Sequence, residues 1–400
     1  MTIYIIGRQE EDTDRRKFEN MNQQNMTGKP KKKSGVARYF LTLGGYLAAL
    51  LVVLYIMGAA SSWLDGRIDK VQEDAAEAAN MSNVQNEVPT VYSQEELDMA
   101  LDNALAEAQQ AASARVEQAV LTKEEEILGG IKTSLLEGEG LLDALRPYYP
   151  DEIVLASNGS YHFVPINKSL QQNSWMQENL QILESGEYQY LQDGEMISHK
   201  GIDVSAHQGK IDWQKVSDDG VEFAFIRAAF RGYGTGKLVE DTKFEENIKN
   251  ATAAGVNVGV YVYSQAVTEE EILEEADFLM KKAAPYGTDI PIVIDVEKVD
   301  GDDGRMNALS MEERTNLVLL FCQTVENAGY KPMIYHNTEM GALMLDISAL
   351  ENYPKWFASY SDILYYPYAY GIWQYSNKGR VDGIKGNVDL NISFSKFWEE

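Results

Sequence analysis

Residues 200–400 of this chain predict an α/β fold with a mostly parallel sheet. Strand-like apolar runs such as Ala254-Gly-Val-Asn-Val-Gly-Val-Tyr-Val-Tyr263 and Pro291-Ile-Val-Ile-Asp-Val-Glu297 alternate with helical segments at Glu269–Lys282 and Ser310–Ala328. That is the rhythm of strand–helix–strand units. Acidic side chains also stand at the far ends of the apolar runs, where α/β folds place their active sites. The rhythm alone does not separate an open sheet from a closed barrel.

The N-terminal half divides by composition. Residues 1–38 carry nine basic and five acidic side chains, a net of +4, against −27 for all 400 residues. Tyr39 to Ala60 contains no charged residue, and at ~1.5 Å per residue it is long enough for a ~30 Å hydrocarbon core. A transmembrane helix is expected at 39–60. Lys29, Lys31, Lys32, Lys33 and Arg38 precede it, so the positive-inside rule gives a single-pass cell-membrane protein with a cytoplasmic tail at 1–38 and an extracytoplasmic remainder. A cleaved signal peptide is the competing reading, with Ala59-Ala60-Ser61 as the mimic of a cleavage site.

Residues 61–150 read as a helical stalk or linker. Ser93-Gln-Glu-Glu96 has the form of a capping box, and Leu97, Leu101, Ala104, Ala108, Ala111 and Val116 follow at helical spacing toward Leu128. The Ala-rich stripe fits either stalk-mediated self-association in a coiled coil or a solvated spacer. Gly129-Gly130 and Gly138 are expected to break the helix. Residues 151–199 form a small α/β element: Ile153–Leu155, Tyr161–Val164 and Tyr188–Leu191 alternate like strands around Asn-Gly and Asp-Gly turns, with a helix expected from Gln171 to Leu183.

Chemistry concentrates in Pro291–Glu297. Residues two apart on a strand project to the same side, so Asp295 and Glu297 point together from the strand's end. Paired carboxylates raise each other's pKa, which lets one stay protonated as a general acid while its neighbour stays ionised, as glycosidic cleavage requires. An acidic strand end running into Asp300, Asp302 and Asp303 is the bland alternative. Lys200–Trp213 places Asp203 at the end of a short apolar run, followed by Ser205 and Gln208, and Val388-Asp-Leu-Asn391 gives Asp389 a similar setting.

Other classes recede. With 35 Lys plus Arg against 62 Asp plus Glu, nucleic-acid binding is not expected. Gly232-Tyr-Gly-Thr-Gly-Lys237 fails the phosphate-loop spacing and reads as a rim loop. His162, His199, His207 and His336 have no metal-ligand spacing, so neither metal nor cofactor is expected. Cys322 reads as a buried apolar residue. Tyr261, Tyr263, Tyr335, Trp356, Tyr360 and Trp373 fall at or beside strand ends, where rings can stack on sugars, although about half should be core.

The motifs of Lys200–Trp213, Phe223-Ala-Phe-Ile-Arg-Ala228, Ala254–Tyr263, Asp295-Val-Glu297, Gly329–Tyr335, Ile372-Trp-Gln-Tyr-Ser376 and Gly383–Asn391 together resemble the glycoside hydrolase family 25 lysozymes, the Chalaropsis-type muramidases, from about Lys200 to the C-terminus. That resemblance implies an irregular β/α (TIM-like) barrel with fewer helices than strands at 200–400. It assigns Glu297 as general acid, Asp295 as its partner, and Asp203 and Asp389 to the same acidic site. Tyr263 and Tyr335 match cleft-lining positions; Tyr261, Trp356, Gln208 and Trp373 are the further candidates for substrate contact. Ala229-Phe-Arg-Gly-Tyr-Gly-Thr-Gly236 departs from the family's commoner Thr-Glu-Gly. The implied activity is a membrane-anchored peptidoglycan hydrolase acting on wall glycan strands, and the rival is a non-catalytic wall-binding protein that keeps the barrel as scaffold.

Overall fold

A computed structural model describes residues 93–299 and 304–399. It divides at Gly129/Gly130 into two units. The transmembrane helix expected at 39–60 and Asp300, Asp302 and Asp303 lie outside the described residues. Among the described residues no helix is long and apolar enough to cross a membrane. The single-pass membrane localisation expected from the sequence is corrected on that finding.

Helix α1 spans Gln94–Leu136. Ser93 opens it as expected: its backbone N–H donates to Glu96 Oε2 at 2.8 Å while Glu96 N–H returns a bond to Ser93 Oγ at 3.3 Å. The helix runs through Gly129-Gly130 instead of breaking there and stops before Gly138, whose φ is +94°. An internal glycine costs a helix only about 1 kcal/mol. At Gly130 the missing Cβ makes room for the Tyr148 hydroxyl, which a side chain there would meet at 1.8 Å.

Within the second unit, α2 (Leu141–Leu145) leads into the hairpin β1 (Glu152–Ser157) and β2 (Ser160–Pro165). The hairpin turn is Asn158-Gly159, both at positive φ, as a two-residue turn between twisted strands demands. The helix expected at Gln171–Leu183 is not formed. A short turn at Gln177–Asn179 leads into β3 (Leu180–Ile182), which pairs with β4 (Tyr188–Gln192), itself paired with β5 (Glu195–Met196). The stretch before it is spent on non-local bonds: Asn173 N–H donates to Pro367 O at 2.7 Å, Trp175 Nε1 to Tyr370 O at 3.1 Å, and Gln177 Nε2 to Asp362 O at 2.8 Å.

The remaining strands are β6 (His199–Val204), β7 (Phe223–Arg231), β8 (Leu238–Glu240), β9 (Asn257–Ser264), β10 (Pro291–Val296), β11 (Lys331–Asn337), β12 (Lys355–Ala358), β13 (Ile372–Gly379) and β14 (Val388–Ser393). All but β8 close into an eight-stranded barrel through the β6–β7 pairing. Neighbours are parallel from β6 through β13, whereas β14 runs antiparallel to both β13 and β6. The barrel therefore departs from an all-parallel pattern at its closing strand. Helices α3 (Trp213–Asp218), α4 (Phe244–Ala253), α5 (Glu269–Ala283) and α6 (Met311–Asn327) cover the outside. Ser310 and Glu313 form a reciprocal cap at the start of α6. Cys322 is buried on α6.

Period-2 alternation sorts each strand's residues between two apolar clusters. Ala224, Ile226, Val260, Val262, Ile292, Ile294 and Ile334 face the helices, and Phe223, Phe225, Tyr261, Val293, Met333, Tyr335, Trp356 and Ile372 fill the barrel. Gly201 and Gly259 are the gaps that accept the large rings: a Cβ at either would stand 2.1 Å from the Phe223 ring or 2.4 Å from that of Phe225.

Candidate active site

The interior has an apolar floor. Phe225 stacks on Trp356 with centroids 4.4 Å apart, and Phe397 closes against Phe223 and Phe225. Above it, the alternation that turns Phe223, Phe225 and Val293 inward brings acids to the carboxyl ends of the parallel strands. Asp203 ends the inward row of β6, Asp295 that of β10, and Glu297 follows one residue past the strand. Asp389 stands near the start of β14, not at the end of a run. It reaches the same end of the barrel because β14 is antiparallel, and it is the direct register partner of Asp203.

Each acid is pushed above its ordinary pKa, and burial is the largest cause in every case. Asp203 rises to about 6, held back by hydrogen bonds from Asn391 and Gln374. Asp389 rises to about 8, with the charges of Asp203 and Glu297 adding to the effect of burial. Asp295 is raised by burial and then by Glu297 and Asp203, with Arg227 opposing. Glu297 is raised by burial, with contact to the Tyr335 hydroxyl opposing and Asp203 adding. Asp295 Oδ1 is buried with no hydrogen-bond partner.

The carboxylates are oriented by amides and phenols. Asp203 Oδ2 accepts from Gln374 Nε2 at 2.7 Å and from Asn391 Nδ2 at 2.9 Å. Asn391 is itself fixed, because its Oδ1 accepts from Trp356 Nε1 at 2.7 Å. Gln374 Oε1 accepts from the hydroxyls of Tyr335 and Tyr360, both at 2.9 Å. Arg227 holds Asp241 at 2.9 Å, and the same Asp241 oxygen accepts the Ala206 N–H, which ties β7 to the turn after Asp203. Behind Glu297, Gln265 Nε2 donates to the Glu297 backbone carbonyl at 3.2 Å. Asn307 spans Val299 with bonds of 3.2 and 2.6 Å to its N–H and carbonyl.

The structure thus brings together Asp203, Asp295, Glu297 and Asp389. Tyr263 and Tyr335 flank Asp295 in register, and Tyr261 feels the charges of Arg227, Asp203, Asp295 and Asp389. Two expected substrate contacts, Trp356 and Trp373, are corrected, and Gln208 is found in the turn after β6. Trp356 is only 1% exposed and lies in the floor, stacked on Phe225. Trp373 is on the opposite face of β13 from Gln374, packed against Tyr188 outside the barrel, with its Nε1 donating to Ser359 O. Gln208 spends its side-chain carbonyl on the Ser205 N–H at 2.9 Å, capping the turn after β6.

Sequence reasoning missed Gln374, Asn391 and Arg227 as site residues. Each stands at an inward strand position where apolar neighbours alternate outward, and a polar residue at such a position was the available signal. Among the described residues no group of three or more His, Cys, Asp or Glu is placed to hold a metal ion.

A closed barrel that gathers four carboxylic acids at one end, two of them buried, has the arrangement that acid-pair hydrolysis uses. The sequence model of glycosyl hydrolases family 25 matches residues 202–384. The uncharacterized protein YegX of Escherichia coli is 32% identical over 211 residues, which cover 48% of this chain and 68% of YegX. The chain belongs to glycosyl hydrolases family 25 and is a glycoside hydrolase. An autolytic lysozyme of Clostridium acetobutylicum is 28% identical over 198 residues, covering 48% of this chain and 55% of that protein. The modular autolysin LytC from Streptococcus pneumoniae aligns with a TM-score of 0.45 and 21% identity over 60% of this chain and 57% of LytC. The chain thus spans little more than half the length of these last two.

Proposed function

We propose that this glycoside hydrolase is a peptidoglycan hydrolase of lysozyme type, cleaving the β-1,4 bond between N-acetylmuramic acid and N-acetylglucosamine, with residues 200–400 as its catalytic domain. The observation that carries the reading is the contrast among buried acids. Asp203 is fed by two amide N–H donors, whereas Asp295 Oδ1 has none.

Burial raises the Glu297 pKa, which favours the protonated form that a general acid for the leaving oxygen needs. Asp203, with its charge stabilised by Gln374 and Asn391, supplies negative charge where the oxocarbenium-like state develops. The unpartnered Asp295 oxygen is an acceptor suited to the N–H of the sugar's acetamido group. Asp389 holds a proton up to about pH 8 and limits repulsion across the strand pair. Tyr263 is partly exposed beside Asp295 and is the phenol best placed to meet substrate, Tyr261 and Tyr335 pack in the barrel interior, and the exposed Tyr360 offers a ring for stacking.

The test is muropeptide release from purified wall sacculi by the full-length chain. New reducing ends should be N-acetylmuramic acid. Glu297→Gln, which keeps shape but cannot donate the proton, should lose about 10²–10⁴-fold in rate while still binding glycan. The same change at exposed Glu312 on α6 should be mild. Reducing ends at N-acetylglucosamine would reject the bond assignment; binding without release by the unaltered chain would favour the non-catalytic reading.

A further inference from the structure

Glu297 is followed by Lys298, and Lys298 is not a free surface lysine. Its ammonium donates to Glu339 Oε1 at 2.6 Å, to Asn158 Oδ1 at 2.8 Å and to Ser157 Oγ at 3.3 Å, and Ser157 Oγ also bonds Glu339. Asn158 and Ser157 belong to the tip of the β1–β2 hairpin, some 140 residues away in sequence. They precede the residues matched to the hydrolase family. Glu339 lies two residues beyond β11, the strand that carries Tyr335. One ammonium therefore joins the loop after the acid, the loop after Tyr335 and a hairpin outside the family's barrel.

The hairpin is built to present that contact. Asn158-Gly159 takes positive φ at both turn positions, which fixes the direction of the Asn158 side chain. Ile153 and Leu155, on the same face of β1 as Ser157, are buried in the outer core of the barrel. The same accessory segment grips the stretch between β12 and β13, which carries Tyr360: Asn173 N–H donates to Pro367 O, Ala369 N–H to Gln171 O at 3.0 Å, and Leu364 N–H to Gln177 Oε1 at 2.8 Å.

We propose that the hairpin tip is a positioning device for the catalytic acid: Ser157 and Asn158, acting with Glu339 through Lys298, fix the backbone from which Glu297 projects. The inference rests on Glu297 being the acid. Lys298 is a positioning residue, not a catalytic one, because its ammonium is already committed to Glu339, Asn158 and Ser157. Misplacing a reacting group by about 1 Å can cost up to ~10²-fold in rate, and loosening this loop also lets water reach the Glu297 carboxyl. Its pKa should then fall toward that of an ordinary glutamate, and the high-pH limb of the rate profile, where the acid loses its proton, should move to lower pH.

The experiment measures kcat, KM and the pH profile on soluble glycan fragments with the full chain. Asn158→Gly is the cleanest variant, because glycine keeps the positive-φ turn and deletes only the side-chain contact. Lys298→Met removes the hub, and Lys298→Arg restores a cation. Expected are a fall in kcat of about fivefold for Asn158→Gly and about tenfold or more for Lys298→Met, unchanged KM, a high-pH limb shifted downward, and substantial rescue by Lys298→Arg. Normal kcat and an unmoved limb in both Asn158→Gly and Lys298→Met would overturn the proposal, as would losses that follow the melting temperature alone. Glu297→Gln separates the two levels. If it is inactive while Lys298→Met is normal, only the positioning role falls; if it is active, the acid assignment falls.

Discussion

Gln374 and Asp203 meet side chain to side chain inside the barrel, Nε2 to Oδ2 at 2.7 Å, and the acceptor-only carboxylate sets the direction of the amide, whose carbonyl oxygen takes the hydroxyls of Tyr335 and Tyr360. A swapped orientation would set oxygen against carboxylate and leave both hydroxyls facing N–H groups. The contact therefore has a direction. It favours the charged form of Asp203, which would otherwise be pushed further up by burial.

Replacing Gln374 with Leu should accordingly raise the Asp203 pKa above about 6. At a fixed pH below neutrality less of the carboxylate is ionised, so the low-pH limb of the activity profile should move to higher pH. We expect a loss of about 10- to 100-fold in kcat at pH 6, partly recovered toward pH 8, because electrostatic stabilisation by a preorganised charge is worth this much. A uniformly reduced rate with an unmoved limb would mean that Asp203 ionisation does not control turnover.

Much of this site was legible in the sequence because strands obey a strict alternation. Asp295 and Glu297 had to share a side, and the ordered motifs around Asp203 and Asp389 marked the remaining acids. What could not be read was strand direction. Val388-Asp389 looks like another acidic strand end, yet Asp389 joins the site only because β14 is antiparallel. The aromatic residues failed for a related reason. Trp373 and Gln374 are adjacent, and a shift of one residue exchanges barrel interior for exterior; which of the two faced inward depended on pairing with β12 and β14. The missing helix at Gln171–Leu183 shows the third limit, since its polar groups are used by the distant stretch 362–370.

The acids should also make themselves felt in stability. Asp389 has a folded pKa of about 8 against an ordinary value of 3.8. Between those values the folded chain holds a proton that the unfolded chain releases, so stability falls as pH rises through this window and stays low above it. Asp389→Asn removes the penalty with little change of shape. Its melting temperature should exceed that of the unaltered chain by about 3–6 °C at pH 8, with the difference vanishing near pH 4. Scanning calorimetry across that range tests the sign. A gain that grew toward low pH would contradict the buried, protonated state of this carboxyl.

Trp373 and Tyr360 should separate stability from binding. Trp373 is 1% exposed, its indole wedged against Tyr188 and bonded to Ser359 O, while Tyr360 is 57% exposed with its hydroxyl donating to Gln374. Trp373→Leu leaves a partial cavity and an unpaired carbonyl, so it should cost about 2–4 kcal/mol in urea unfolding with KM nearly unchanged. Tyr360→Leu should do the reverse, raising KM several-fold through lost stacking while stability moves by about 0.5 kcal/mol, as expected for an exposed position. The opposite pattern, an intact unfolding midpoint and a raised KM in Trp373→Leu, would put the indole in contact with substrate and reverse the facing of β13 deduced from the barrel.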